Sequence, residues 1–140
     1  MIIPTISSGT KGPLGVLHMP RFWQKVSLDA VGKLHSDYPA CGGGYDQMML
    51  DALGLDKDAT LAYIKENKPT YVQFEAWVKS NAGSLDGAAG FNTACEGYNH
   101  DDATRDGILG AVGLPGADIK GAINLNNLED WHDFHGVNIA

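Results

Sequence analysis

The chain has 140 residues, 44% of them hydrophobic and 9% aromatic, with 10 Lys and Arg against 17 Asp and Glu. A single domain of this length buries about two thirds of its unfolded surface, so the composition supports a packed core and argues against disorder. A net charge of −7 excludes a nucleic-acid partner held by a basic stripe, and no run of about 18 apolar residues predicts a membrane span.

Residues 1–15 hold two prolines, three glycines and no periodicity, which predicts an irregular arm ahead of one helical domain over residues 16–140. The opening M-I-I-P-T-I-S-S-G-T-K-G has neither the basic region nor the long apolar region of a signal peptide. Two cysteines form no disulfide framework, so a cytoplasmic protein with reduced thiols is expected.

The first helix is predicted to start near Pro20, where a missing N–H is harmless. Met19, Phe22, Trp23, Val26, Ala30 and Leu34 recur at helical steps and define its apolar face, with Arg21 and Lys25 on the solvated flank. After Pro39 and the glycines, a second helix spans Tyr45 to Leu53, with Gly54 just past its end. A third is capped by Asp56 or Asp58 and turns Ala59, Ala62 and Ile64 inward. Thr70 and Gln73 form a capping-box pattern for a fourth, whose buried stripe is Phe74, Trp77 and Val78.

Ala88, Phe91, Cys95 and Tyr98 fall at helical spacing, although Gly87, Gly90 and Gly97 weaken a helix there. Asp101 or Asp102 caps the next helix, which turns Ile108, Leu109 and Val112 inward. The last helix follows Asn126 or Asn127 and ends at Gly136. No strand alternation is present. The reading is an all-α single domain of six or seven short helices.

Three stretches could carry chemistry. Asp46 sits at the edge of an apolar arc made by Tyr45, Met48, Met49, Ala52 and Leu53, so a half-buried acid competes there with a first-turn cap. The run Gly42-Gly43-Gly44 before it could bring backbone N–H groups to an anion, and Cys41 occupies a setting that lowers a thiol pKa. On the last helix Leu128, Trp131, His132 and His135 share a quarter-turn arc, while Asp130 and Asp133 point away. Two histidines beside a Trp on a buried face predict a polar cavity.

His132 and His135 could also bind a metal with Glu129 on their flank and a third ligand from His18, His35, His100 or Asp46. No dinucleotide fingerprint or Walker-type lysine is present, so no cofactor is expected.

The blocks G-V-L-H-M-P-R-F-W-Q-K, Y-P-A-C, Y-D-Q-M-M-L-D-A-L-G-L-D, A-W-V-K and D-W-H-D-F-H-G occur in one order. In this order, from about Gly12 onward, the chain resembles the bacterial family catalogued as domain of unknown function 5069. The resemblance pairs Arg21 and Lys25 with an Arg-x-x-x-Lys pattern in the family's first helix. It pairs Cys41, Asp46 and Gln47 with a Cys before Leu-Asp-Gln, and Trp131 and Asp133 with a terminal Trp-Phe-Asp. Here the gap after Cys41 is longer, and His132 replaces the Phe. The family supplies no activity.

Together these features predict a cofactor-independent acid–base enzyme, an isomerase, lyase or hydrolase, acting on a small polar organic molecule. Its expected catalytic groups are Asp46, His132, His135 and Tyr45; its expected ligand contacts are Tyr38, Cys41, Gly43, His18, Arg21 and Trp131. The alternatives are a non-catalytic small-ligand or protein-partner module and a metal site on the C-terminal histidines.

Overall fold

Asp56, Thr70 and Asp101 each accept a hydrogen bond from the backbone N–H three residues on, and each starts a helix where capping chemistry places one. The Thr70 cap is reciprocal, because the Gln73 side chain also accepts from the Thr70 N–H at 2.9 Å. A computed structural model describes residues 1–140. Its helices are α1 (Met19–Ala30), α2 (Tyr45–Leu53), α3 (Lys57–Asn67), α4 (Tyr71–Asn81), α5 (Ala88–Gly97), α6 (Asp102–Ala111) and α7 (Ala122–Asn138). Three isolated β-bridges exist and no sheet, so the domain is all-α. No helix is long and apolar enough to cross a membrane.

Phe22 and Val26 of α1 meet Met49, Leu50 and Leu53 of α2, Ile64 of α3 and Phe74 and Val78 of α4 in one core. Phe91 and Cys95 of α5 complete it. Burial of each large apolar side chain stabilises by about 1.5–3 kcal/mol. Smaller clusters flank this core. Ile3, Leu34 and Tyr38 hold the arm against the turn after α1, and Ile108, Leu109 and Leu125 join α6 to α7.

The arm is irregular but firmly docked. Gln24 of α1 accepts from the backbone N–H groups of Thr5 and Ile6 and donates to the Thr5 hydroxyl. Glu75 of α4 accepts from the Leu14 N–H, and Asn92 of α5 brackets the chain at Gly15 and Leu17.

Four details differ from the sequence expectation. Leu34 lies beyond α1 and is buried because the arm pairs with it at Ile2. On α3 the inward residues are Thr60 and Ile64, while Ala59 and Ala62 are exposed, since the Thr60 hydroxyl is satisfied by the Asp56 carbonyl at 2.7 Å. Helix α5 forms despite its glycines because Gly87 fits against α2 where no side chain could. Helix α7 starts at Ala122, earlier than expected, and runs through Gly136.

A Cβ at Gly87 would stand 2.1 Å from the Ala52 carbonyl oxygen, whereas Gly90 has open space around it. Gly87→Ala is therefore expected to lower stability by about 1–3 kcal/mol. Gly90→Ala, within the exposed side of α5, should raise it by about 0.5–1 kcal/mol. Urea denaturation of both variants checks the opposite signs.

Candidate active site

His18 is the residue before α1, and its backbone has φ 69°, a left-handed conformation rare outside glycine. Such a conformation costs on the order of 1–3 kcal/mol and persists only where neighbouring contacts enforce it. Both ring nitrogens supply those contacts. Nδ1 lies 2.9 Å from the Ser8 hydroxyl, and Nε2 lies 2.5 Å from Asp46 Oδ1.

Asp46, in the first turn of α2, also accepts through Oδ2 from Lys25 Nζ at 2.6 Å and from the Gly42 N–H at 2.7 Å. None of Ser8, His18, Lys25 and Asp46 is more than 6% exposed, so this four-residue chain is sheltered from water.

Protonation follows from these neighbours. Burial pushes the His18 pKa below its ordinary 6.5, against the pull of Asp46, and the charges of Lys25 and Arg21 push the same way. The ring is then neutral at pH 7, with its proton on Nε2 facing Asp46 and a lone pair on Nδ1 accepting the Ser8 O–H. Burial alone would raise the Asp46 pKa, but the His18 hydrogen bond and the Lys25 charge outweigh it and hold the carboxyl at about 2.

A second charged pair fixes the opposite helix. Arg21 donates both terminal nitrogens to Asp130 of α7, at 2.5 and 3.1 Å, and also donates to the Ile6 carbonyl at 2.9 Å. The Tyr38 hydroxyl donates to Asp133 at 2.9 Å, and the guanidinium stands 6.0 Å from the Tyr38 ring centre.

Between these features lies a cavity of about 400 Å³, lined by Ser8, His18, Lys25, Tyr38, Tyr45, Asp46, His100 and Glu129 among others. Glu129 is half-buried, and no protein group donates to it. Burial and the neighbouring Asp133 and Asp130 raise its pKa. The cavity thus carries one carboxyl held low and one pushed high, the arrangement that separates base from acid roles.

Of the expected site residues, Asp46, Tyr45, Tyr38, His18 and Arg21 converge on this cavity. Arg21 and Lys25 are buried and ion-paired rather than solvated, because Asp130 and Asp46 neutralise them. Tyr45 donates its hydroxyl to the Cys95 carbonyl at 2.9 Å, and its ring packs 5.4 Å from the His18 ring. Burial raises the pKa of both Tyr38 and Tyr45, so each stays a phenol.

His132, His135 and Trp131 do not reach the cavity. The arc they share faces solvent, with Trp131 64% exposed, because Ala122, Leu125 and Asp130 define the buried side of α7. His132 lies in a shallow surface depression with His35 and Asp133, and Trp131 borders another with Pro4 and Phe134. No group of three or more His, Cys, Asp or Glu side chains could hold a metal ion, so the third ligand required by the histidine metal site is absent.

Gly43 is exposed and outside the cavity lining, and the Gly42 N–H is taken by Asp46 rather than free for a ligand. Cys41 is partly buried. Burial, then the Asp46 charge, raise its pKa instead of lowering it. Cys95 belongs to the core as expected.

Ser8 and Asn126 are cavity residues that sequence reasoning missed, and His100, which donates to the Asn126 amide oxygen at 2.8 Å, was considered only as a metal ligand. One signal was present: His18, Arg21 and Lys25 fall within about a sixth of a turn on a helical wheel at ~100° per residue. Three basic groups on one stripe, beside Phe22 and Val26, ask for buried acids. No family model matches the chain, and no curated protein matches it either.

Removal of the Asp46 charge leaves Lys25 buried without a counter-ion, so Asp46→Asn is expected to cost about 3–5 kcal/mol in urea denaturation. The folded pKa values of His18 and Asp46 both lie below their ordinary values, so the unfolded chain takes up each proton first. The His18 contribution is present above pH 6.5 and is lost as pH falls through the folded value; the Asp46 contribution is lost between 3.8 and about 2. The urea midpoint should therefore drop from pH 7.5 to pH 5 in the wild type, and less in His18→Gln. His132→Ala and His135→Ala, by contrast, should each stay within about 0.5 kcal/mol of the wild type.

Proposed function

We propose that the protein is a cofactor-independent acid–base enzyme acting on a small polar organic molecule, with its reaction at the cavity between α1, α2 and α7. The observation that carries this reading is the hydrogen-bonded chain Ser8–His18–Asp46, held at a strained backbone position, on the same cavity as the unpartnered Glu129. His18 accepts a proton on Nδ1, Asp46 orients the ring and stabilises its charged form, and Glu129 serves as acid. The volume suits a small metabolite, and the polar lining suits one rich in hydrogen-bonding groups.

Membership in the bacterial family of domain of unknown function 5069 and a cytoplasmic location belong to the same proposal. The motif order from Gly12 onward supports the first, and the absence of a cysteine framework supports the second.

A second reading has its own observation. Both Asp46 oxygens and both His18 nitrogens are satisfied by the protein, as they are when such a cluster serves to pin a fold around a binding pocket. The two readings separate by turnover. A panel of small hydroxy acids, sugars and esters is expected to include a substrate whose kcat falls by about 10²–10⁴ in Glu129→Gln, with the folded state intact. Fragment binding at the cavity by NMR with no turnover of any member would instead establish the binding module.

A further inference from the structure

We propose that Ser8 is a nucleophile and that the cavity performs acyl transfer on short, polar carboxylic esters. This rests on the acid–base reading above and gives it a reaction and a reacting atom. His18 Nε2 is occupied by Asp46 and Nδ1 by Ser8, so no cavity-bound molecule reaches a free ring nitrogen. Any proton that His18 takes from the cavity side passes through the Ser8 oxygen. Ser8 itself lines the cavity, where the 1% of its surface that is exposed is its point of contact with a ligand.

The three side chains hold the roles of a serine–histidine–aspartate triad with the two ring nitrogens exchanged: hydroxyl on Nδ1 at 2.9 Å, carboxylate on Nε2 at 2.5 Å. Such triads are recognised by geometry and role, not by order in the chain or by which nitrogen faces which partner. Asp46 acts here through His18, as a positioning residue.

Ser8 Oγ bonds to the ester carbonyl carbon while its proton moves to His18 Nδ1. The carbonyl π electrons move onto oxygen, giving a tetrahedral oxyanion. The oxyanion collapses, the bond from carbon to the alkoxy oxygen breaks, and His18 returns the proton to the departing alcohol while the Glu129 acid donates a hydrogen bond to that oxygen. Water then attacks the acyl-serine by the same route, and the acid leaves with Ser8 regenerated.

An oxyanion in this cavity would take its hydrogen bonds from the start of α2. Gly44 gives α2 no side-chain cap, so the first N–H groups of that helix, at residues lining the cavity, are not taken by a capping side chain. Only three of the sixteen lining residues are hydrophobic, which fits a short acyl group bearing polar substituents rather than a fatty chain.

The test treats the full-length protein with a small alkyl phosphonofluoridate and locates the adduct by intact mass and peptide mapping. Phosphonylation forms the Oγ–P bond, expels fluoride and delivers the serine proton to His18. One adduct per chain at Ser8 is expected. It should be absent in Ser8→Ala and at least tenfold slower in His18→Asn, each variant first checked for a wild-type circular dichroism spectrum. Should His18→Asn fail to fold, the labelling rate against pH in the wild type replaces it, and the rate should rise with a single titration that deuterium oxide slows.

No adduct at Ser8 in the folded wild type overturns the nucleophile, as does an adduct elsewhere that survives Ser8→Ala. Turnover of a panel substrate that persists in Ser8→Ala and is lost in Glu129→Gln also overturns it while leaving the acid–base reading intact. Failure of that broader reading looks different: no panel member is turned over by the wild type.

Discussion

The carboxylate of Asp46 ties the start of α1, its Lys25 and the turn before α2 to one buried point. It is a buried negative charge with three donors around it: the His18 imidazole and the Lys25 ammonium from α1 and its N-cap, and the Gly42 N–H from the turn before α2. A buried charge is tolerated only when its neighbours satisfy it, so the requirement runs in both directions. Lys25 can be buried on α1 because Asp46 is there. The Gly42 turn closes because its N–H has an acceptor, and His18 keeps its unusual backbone because its ring is held from both sides.

Arg21 and Asp130 do for α7 what Asp46 does for α2. Their bidentate pair joins residues 109 apart in sequence, and Arg21 reaches the arm as well through the Ile6 carbonyl. Polar groups thus carry the orientation of two helices, while the apolar core holds α2 to α5 and α1 to α3 and α4. The division explains why α7 has weak amphipathicity. Its inward side must serve Arg21, Tyr38 and the cavity, so much of that side is Asp, Asn and Glu.

The fold was legible wherever one residue's chemistry decides a local question. Thr70 with Gln73, Asp56, Asp101 and Gly54 mark helix ends that the backbone respects, and Met49, Phe74 and Cys95 pack where their spacing puts them. Of the cavity lining, Asp46, Tyr38, Tyr45, His18 and Arg21 were legible. The site was illegible on α7, where the rule that apolar residues face inward inverted the helix: Trp131 and Phe134 point to solvent, and Asp130 is buried. A late helix start caused part of this, since Ala122 and Leu125 set the buried side and lay outside the expected helix. Ser8 was illegible for another reason. A serine in an aperiodic arm carries no pattern, and only docking of the arm gives it a partner.

The arm and α7 lie at opposite ends of the chain and meet at Arg21. During synthesis the residues of the cavity leave the ribosome in the order Ser8, His18, Asp46, Glu129, and Asp130 follows them all. Helix α1 can form early from local contacts, but Arg21 lacks its Asp130 counter-ion until α7 has emerged. A nascent chain must therefore keep that guanidinium hydrated and the cavity wall open. Desolvation of the cavity is then coupled to the arrival of α7 rather than to the formation of α1.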